Sequence, residues 1–201
     1  MSKQFKFSVS NVRALGSGFD TFTKDEISIF GYAITGGGMR TLIRPVNLGS
    51  YGDDENRSLE ANPIVLLDDE VNDADNICAL CLFLIERDNG DVVSFANASS
   101  EKFNTYWEEA RQQLDPDMST REKNLFAFAQ SMIPLAYDVS RVNTWGDSDE
   151  TYAPQFRTIP ATLGPGAPGE DDRKMVVRFN GNGYYEITLS YVFELQLVVH
   201  S

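Results

Sequence analysis

Histidine is nearly absent from this sequence: His200 is the sole one, beside Ser201. Its scarcity removes the Ser-His-Asp and Cys-His arrangements of nucleophilic catalysis and the usual zinc sites. Cysteine is almost as rare. Cys78 and Cys81 both stand in "NICALCLFLI", a strand-like run. Three residues apart on a strand, two side chains face opposite sides of the sheet. They neither bridge nor chelate one metal, and they read as buried structural thiols. Long apolar runs are missing as well. The longest, Ile77 to Ile85, is far too short to cross a bilayer as a helix, and Met1 to Val9 alternates instead of forming a signal-peptide block. The default location is the cytoplasm, with export by a signal-less route as the alternative. Positive charge is short too. Against 30 acidic residues there are 17 Lys and Arg, a net charge of −13 that repels phosphate backbones and anionic surfaces. With no Lys/Arg cluster to offset it, nucleic acid is not an expected partner. The segments "GSG", "GGG" and "GPGAPG" lack the Lys-Ser/Thr or the strand-to-helix setting of a phosphate-binding loop.

What is present is core-forming material, 42% hydrophobic, in a chain of one-domain length spanning 1–201. The first third reads as strands. In "FKFSVSNV", Phe5, Phe7 and Val9 share one face with polar residues opposite. "DEISIFGYAI" alternates Ile27, Ile29 and Gly31 against Ser28, Phe30 and Tyr32. "RTLIRPV" follows, with Pro45 marking an edge or a strand end. "GSYGDDENRS" reads as a loop and "PIVLL" as a short strand. The unbroken apolar character of "NICALCLFLI" suits a central strand covered on both faces. Asn89-Gly90 then signals a hairpin, with "DVVSFA" as the return strand.

The period changes in the middle of the chain. Phe103, Trp107, Ala110 and Leu114 recur at helical spacing. After Asp115-Pro116-Asp117, Ser119 stands three before Glu122 as a capping box, and Leu125, Ala129, Met132, Ile133 and Ala136 follow on one face. The expected insertion is a two-helix hairpin over about 100–140. The last quarter returns to strands, "KMVVRF" and "YYEITLSYVFELQLVV", hinged at Asn180–Gly183; Tyr185, Ile187, Leu189 and Tyr191 face the core. The whole reads as mainly β: an antiparallel β-sandwich of about seven to nine strands with an inserted two-helix hairpin.

Acidic residues gather where strands are expected to end: Asp20, Asp25-Glu26, Asp53-Asp54-Glu55, Asp68-Asp69-Glu70, Glu86, Asp88, Asp91, Asp147, Asp149 and Glu150. Alternate strand ends of a sandwich fall at one pole, so carboxylates from separate loops can converge there. Close carboxylates repel and call for a counter-charge, and calcium accepts many oxygens in flexible geometry. "FDTFTKDEISIFGYAI" resembles the first calcium loop of C2 domains, with Asp20 and Asp25 at its two aspartate positions. "LIERDNGD" resembles the later C2 loop, with Asp88 and Asp91 matching and Glu86 where an aspartate is usual. The resemblance covers the first half of the chain only. It implies a C2-like module with calcium held by Asp20, Asp25, Glu86, Asp88 and Asp91 and calcium-dependent binding to a membrane or protein.

Other readings compete. "LIERDNGD" also suits an ordinary hairpin turn. "GDSDET", from Gly146, fails as an EF-hand loop because Thr151 takes a ligand position and no glycine or closing glutamate follows. Asp25 with Asp88 is the carboxylate pair a glycoside hydrolase would need. On the helices, Tyr106 and Phe128 fall off the main apolar stripes and are the candidate contacts to a protein partner or membrane surface. The function expected is a non-catalytic binding or assembly module, with a secreted toxin or toxin-accessory protein acting at membranes and a carboxylate-dependent glycoside hydrolase as the alternatives.

Overall fold

The computed structural model describes residues 2–16, 24–35, 40–72, 77–87, 150–152, 155–160, 173–181 and 183–195, with Val92, Val93, Ala96, Asn97, Glu101, Asn104 and Thr105 between them. Among these residues ten strands form: β1 (Ser2–Ala14), β2 (Asp25–Thr35), β3 (Arg40–Tyr51), β4 (Asn56–Ser58), β5 (Ile64–Asn72), β6 (Ile77–Arg87), β7 (Glu150–Thr151), β8 (Gln155–Pro160), β9 (Lys174–Asn180) and β10 (Tyr184–Leu195). They pair in two antiparallel sheets. In the first, β1 and β9 flank β10, and both β4 and β5 lie along the other edge of β1. In the second, β2 lies between β3 and β6, and both β7 and β8 lie along the far edge of β6. The mainly β, antiparallel two-sheet architecture expected from the alternating pattern is therefore present.

The core lies between the sheets, and alternation puts it there. Phe5, Phe7 and Val9 of β1 point inward, as do Tyr185, Ile187 and Leu189 of β10, all 2% exposed or less. Burying each such side chain contributes roughly 1.5–3 kcal/mol. After Val9 the inward phase slips by one residue, to Val12 and Ala14. The register against β10 shifts at the same point, leaving Ser10 as the extra residue of a bulge. Its Oγ donates to the Thr188 carbonyl at 3.2 Å.

The two sheets differ on their outer faces. On the second sheet Ser28, Phe30, Tyr32, Cys81, Phe83 and Ile85 are all buried, although they face away from the core residues Ile27, Ile29, Leu82 and Leu84. Phe30 stacks on its cross-strand partner Phe83 at 4.8 Å, and Tyr32 meets the same ring edge-on. That second covered face accounts for the unbroken apolar run of β6. Cys81 belongs to it, and burial pushes its thiol pKa well up. The side chain of Cys78 is outside the described residues.

Three expectations are corrected. "DVVSFA" is not a return strand: Val92, Val93 and Ala96 are helical. Val92 and Ala96 are buried while Val93 and Asn97 are exposed, which is the four-residue spacing of one helix face, not a period of two. "GSYGDDENRS" is not one loop. β3 runs on to the buried Tyr51, β4 begins at Asn56, and only residues 52–55 turn. The strand survives because Gly49, at φ 107°, completes a bulge opposite Ile27 and Ser28 that few other residues could form. Nor do Asp68, Asp69 and Glu70 lie at a strand end. They sit within β5, where Asp68 pairs in register with Lys6 and Asp69 accepts from Thr41 Oγ1 of β3 at 3.0 Å, joining the edges of the two sheets. Pro45 is where an edge reading puts it: Arg44 and Pro45 bulge opposite Phe30 on a strand whose ladder, among the described residues, is with β2. The helical insertion falls outside the described residues apart from Glu101, Asn104 and Thr105, which are helical. Among the described residues no helix is long and apolar enough to cross a membrane.

Candidate functional site

Five strand ends meet at one pole. Ile27 pairs with Glu86, so β2 enters where β6 leaves, and Asp25 pairs with Tyr51 at the end of β3. Glu86 also pairs with Glu150 of β7, which delivers Tyr152 to the same pole. Tyr185 is the second residue of β10 on the opposite sheet. Its hydroxyl donates to Asp25 Oδ2 at 3.0 Å across the core, a bond that ties the two sheets together. The rings of Tyr51 and Tyr152 meet Tyr185 edge-on, at 6.3 and 5.6 Å. Tyr51 Oη donates to the Leu48 carbonyl at 3.1 Å. Tyr152 N–H donates to Leu84 O, and its ring lies so close to Gly181 that a Cβ there would stand 2.8 Å from it.

Asp25 and Glu86 are 7% and 4% exposed, so both carboxylates lie inside the sandwich and not on its surface. Burial, and then the charge and hydrogen bond of Asp25 and the charge of Glu86, push the Tyr185 phenol far above its ordinary range. Tyr185 therefore stays a proton donor wherever the protein is folded. This arrangement is a buried phenol–carboxylate clamp. Asp20, Asp88 and Asp91 lie outside the described residues, as do Asp147 and Asp149. So do Tyr106 and Phe128. Among the described residues no group of three or more His, Cys, Asp or Glu could hold a metal ion.

A charged brace secures the turn beside the clamp. Glu55 accepts the Gly52 N–H at 3.1 Å, Arg57 Nη2 at 2.7 Å and Lys24 Nζ at 3.0 Å. The Arg57 guanidinium lies 4.4 Å over the Tyr51 ring and also donates to the Ser50 carbonyl. These donors hold the Glu55 carboxyl down at about 2, led by the Gly52 N–H. A depressed carboxylate stabilises the fold above its unfolded value near 4.5, and that contribution is lost as pH falls through about 2. Glu55→Gln is expected to cost about 1 kcal/mol at pH 7, the scale of a partly exposed ion-pair network. The difference from wild type should shrink toward zero as pH falls through about 2, which urea unfolding at both ends of the range would read.

The second feature is a groove of about 350 Å³ on the outer face of the first sheet. Register builds its floor: Val65 of β5, Ser8 of β1, Ser190 of β10 and Lys174 of β9 form one cross-strand row. Lys6 and Arg173 line it beside that row. Val65 is 43% exposed, and Val176, further along β9, is 49% exposed. Composition and spacing did not mark this groove, because Ser8 and Ser190 become neighbours only through the pairing of the first and last strands. The one local signal was the polar phase of β1, Lys6 and Ser8, against Phe5, Phe7 and Val9. No protein-family model matches this chain, and no curated protein matches it either.

Proposed function

We propose that the protein is a non-catalytic binding module that meets its partner with the outer face of the first sheet. The observation that carries this reading is the groove over Ser8, Ser190 and Val65. Its volume lies within the ~300–1,000 Å³ usual for ligand sites, and it is lined by both apolar and cationic side chains. The buried pole supports the same division of labour, because Tyr185 bonds Asp25 inside the sandwich and ties the two sheets together. In this reading the two-helix hairpin of about 100–140 offers Tyr106 and Phe128 as a further contact to a protein or membrane surface.

The test is a fragment screen followed by amide shifts in two-dimensional NMR. Shifts should cluster on Ser8, Ser190 and Val192. A cluster at the Asp25–Tyr185 pole instead, or turnover of any fragment, contradicts the reading. A calcium-dependent form of it draws on Asp25 and Glu86, which share the pole. Millimolar calcium should then raise the melting midpoint of the wild type and not of Asp25→Asn, by the linkage of ligand to folding. An unchanged wild-type midpoint removes calcium from the account.

A further inference from the structure

We infer that the groove on the first sheet takes a small organic carboxylate: a monoanionic head on an apolar body. The inference rests on the binding-module reading above and names the ligand class of that same groove. Three of the 17 basic residues of this acidic chain line the one groove, Lys6, Arg173 and Lys174. Two of them are met by acids at the rim. Lys174 Nζ lies 2.9 Å from Glu60 Oε1, and Lys6 Nζ lies 4.0 Å from Asp68 Oδ2. The third charge is not met in this way: Arg173 Nε is buried and has no hydrogen-bond acceptor among the described residues. Arg173 lines the groove, so a carboxylate there would supply the guanidinium with the charge partner it lacks among the described residues.

One positive charge left unmet among the described residues matches one negative charge on the ligand. Next to it the floor offers the hydroxyls of Ser8 and Ser190, cross-strand partners in register, which can donate to a carboxylate oxygen. Pro63, Val65 and Val192 supply the apolar walls for the body of the ligand. A phosphate dianion would bring a second charge, which only displacement of Glu60 or Asp68 could match. A bare inorganic anion would leave the apolar walls empty.

The experiment is an NMR titration of the full chain with phenylacetate, its neutral amide phenylacetamide, and phenyl phosphate. Phenylacetate should shift the Ser8, Ser190 and Val192 amides saturably and bind about tenfold or more tighter than the amide, the margin of a charge-assisted bond. Arg173→Gln should weaken phenylacetate about tenfold, whereas Arg178→Gln, on the same strand edge but outside the groove, should change nothing. Equal binding of acid and amide, tighter binding of phenyl phosphate, or an Arg173→Gln variant that binds as wild type overturns the carboxylate inference and leaves the groove as the binding site. Shifts from an acidic peptide but not from phenylacetate overturn it too, and make the occupant a protein segment. If no probe moves the groove amides, both the inference and the groove reading fall.

Discussion

Replacing Gly31 with alanine is expected to destabilise the protein by roughly 3 kcal/mol or more, the upper range for forcing an atom into a packed interior. Gly31 sits in β2 between Ile43 of β3 and Leu82 of β6. A Cβ built there runs into the backbone carbonyl of Cys81, and it stands 3.1 Å from Leu82 Cα. Neither obstacle is the free end of a side chain, so relief requires β2 and β6 to move apart. Each packs a face of the core and, through Phe30 and Phe83, a second buried face. Gly16→Ala is the control. Its Cβ would meet nothing within 4 Å, and only the φ of 74° opposes it, at about 1 kcal/mol. Chemical denaturation of both variants checks the contrast. A Gly31→Ala cost no larger than that of Gly16→Ala would mean that the two strands are not held at this separation.

Tyr185→Phe should cost about 2 kcal/mol, since it deletes a charge-assisted bond and leaves a buried carboxylate with one donor fewer. In a chain of this length that lowers the melting midpoint by roughly 4–8 °C. The ring contacts with Tyr51 and Tyr152 remain, so the loss reports the hydroxyl alone. Combined with Asp25→Asn in a double-mutant cycle, the coupling should be about 1–2 kcal/mol, within the range for residues in direct contact. Additive losses would show that the clamp does not join the sheets.

The strands that carry the core were legible because alternation survives along them: Phe5, Phe7 and Val9 in β1, and Tyr185, Ile187 and Leu189 in β10. The apolar run of β6 correctly announced two covered faces. What misled was local composition. Gly, Asp and Asn in "GSYGDDENRS" suggested one loop, yet a glycine bulge and a buried tyrosine carry the strand through it. The three acids of β5 looked like a strand end, but they belong to an edge strand that pairs with Lys6 and Gln4. β7 gave no signal, since a two-residue strand has no period to read, and the six residues of β8 mix charged and apolar positions without a clean alternation. Asp25 and Glu86 stand in the sequence as calcium ligands; their burial follows from facing inward in phase with Ile27 and Leu84, Asp25 at the first position of β2 and Glu86 one residue before the end of β6. Tyr185 appeared only as a core residue, and nothing local could pair it with Asp25. The groove was illegible for the same reason, since its serines lie on the first and last strands.

The account separates a buried pole that holds the fold from an outer groove that binds. One measurement tests that separation most directly: a fragment-binding titration by NMR on Ser190→Trp beside Tyr185→Phe, at a temperature where both are folded. Ser190→Trp fills the groove from the sheet surface and should keep the wild-type melting midpoint while losing fragment binding. Tyr185→Phe should melt lower and bind as wild type. Binding that survives Ser190→Trp and fails in Tyr185→Phe would reverse the two roles and contradict the account.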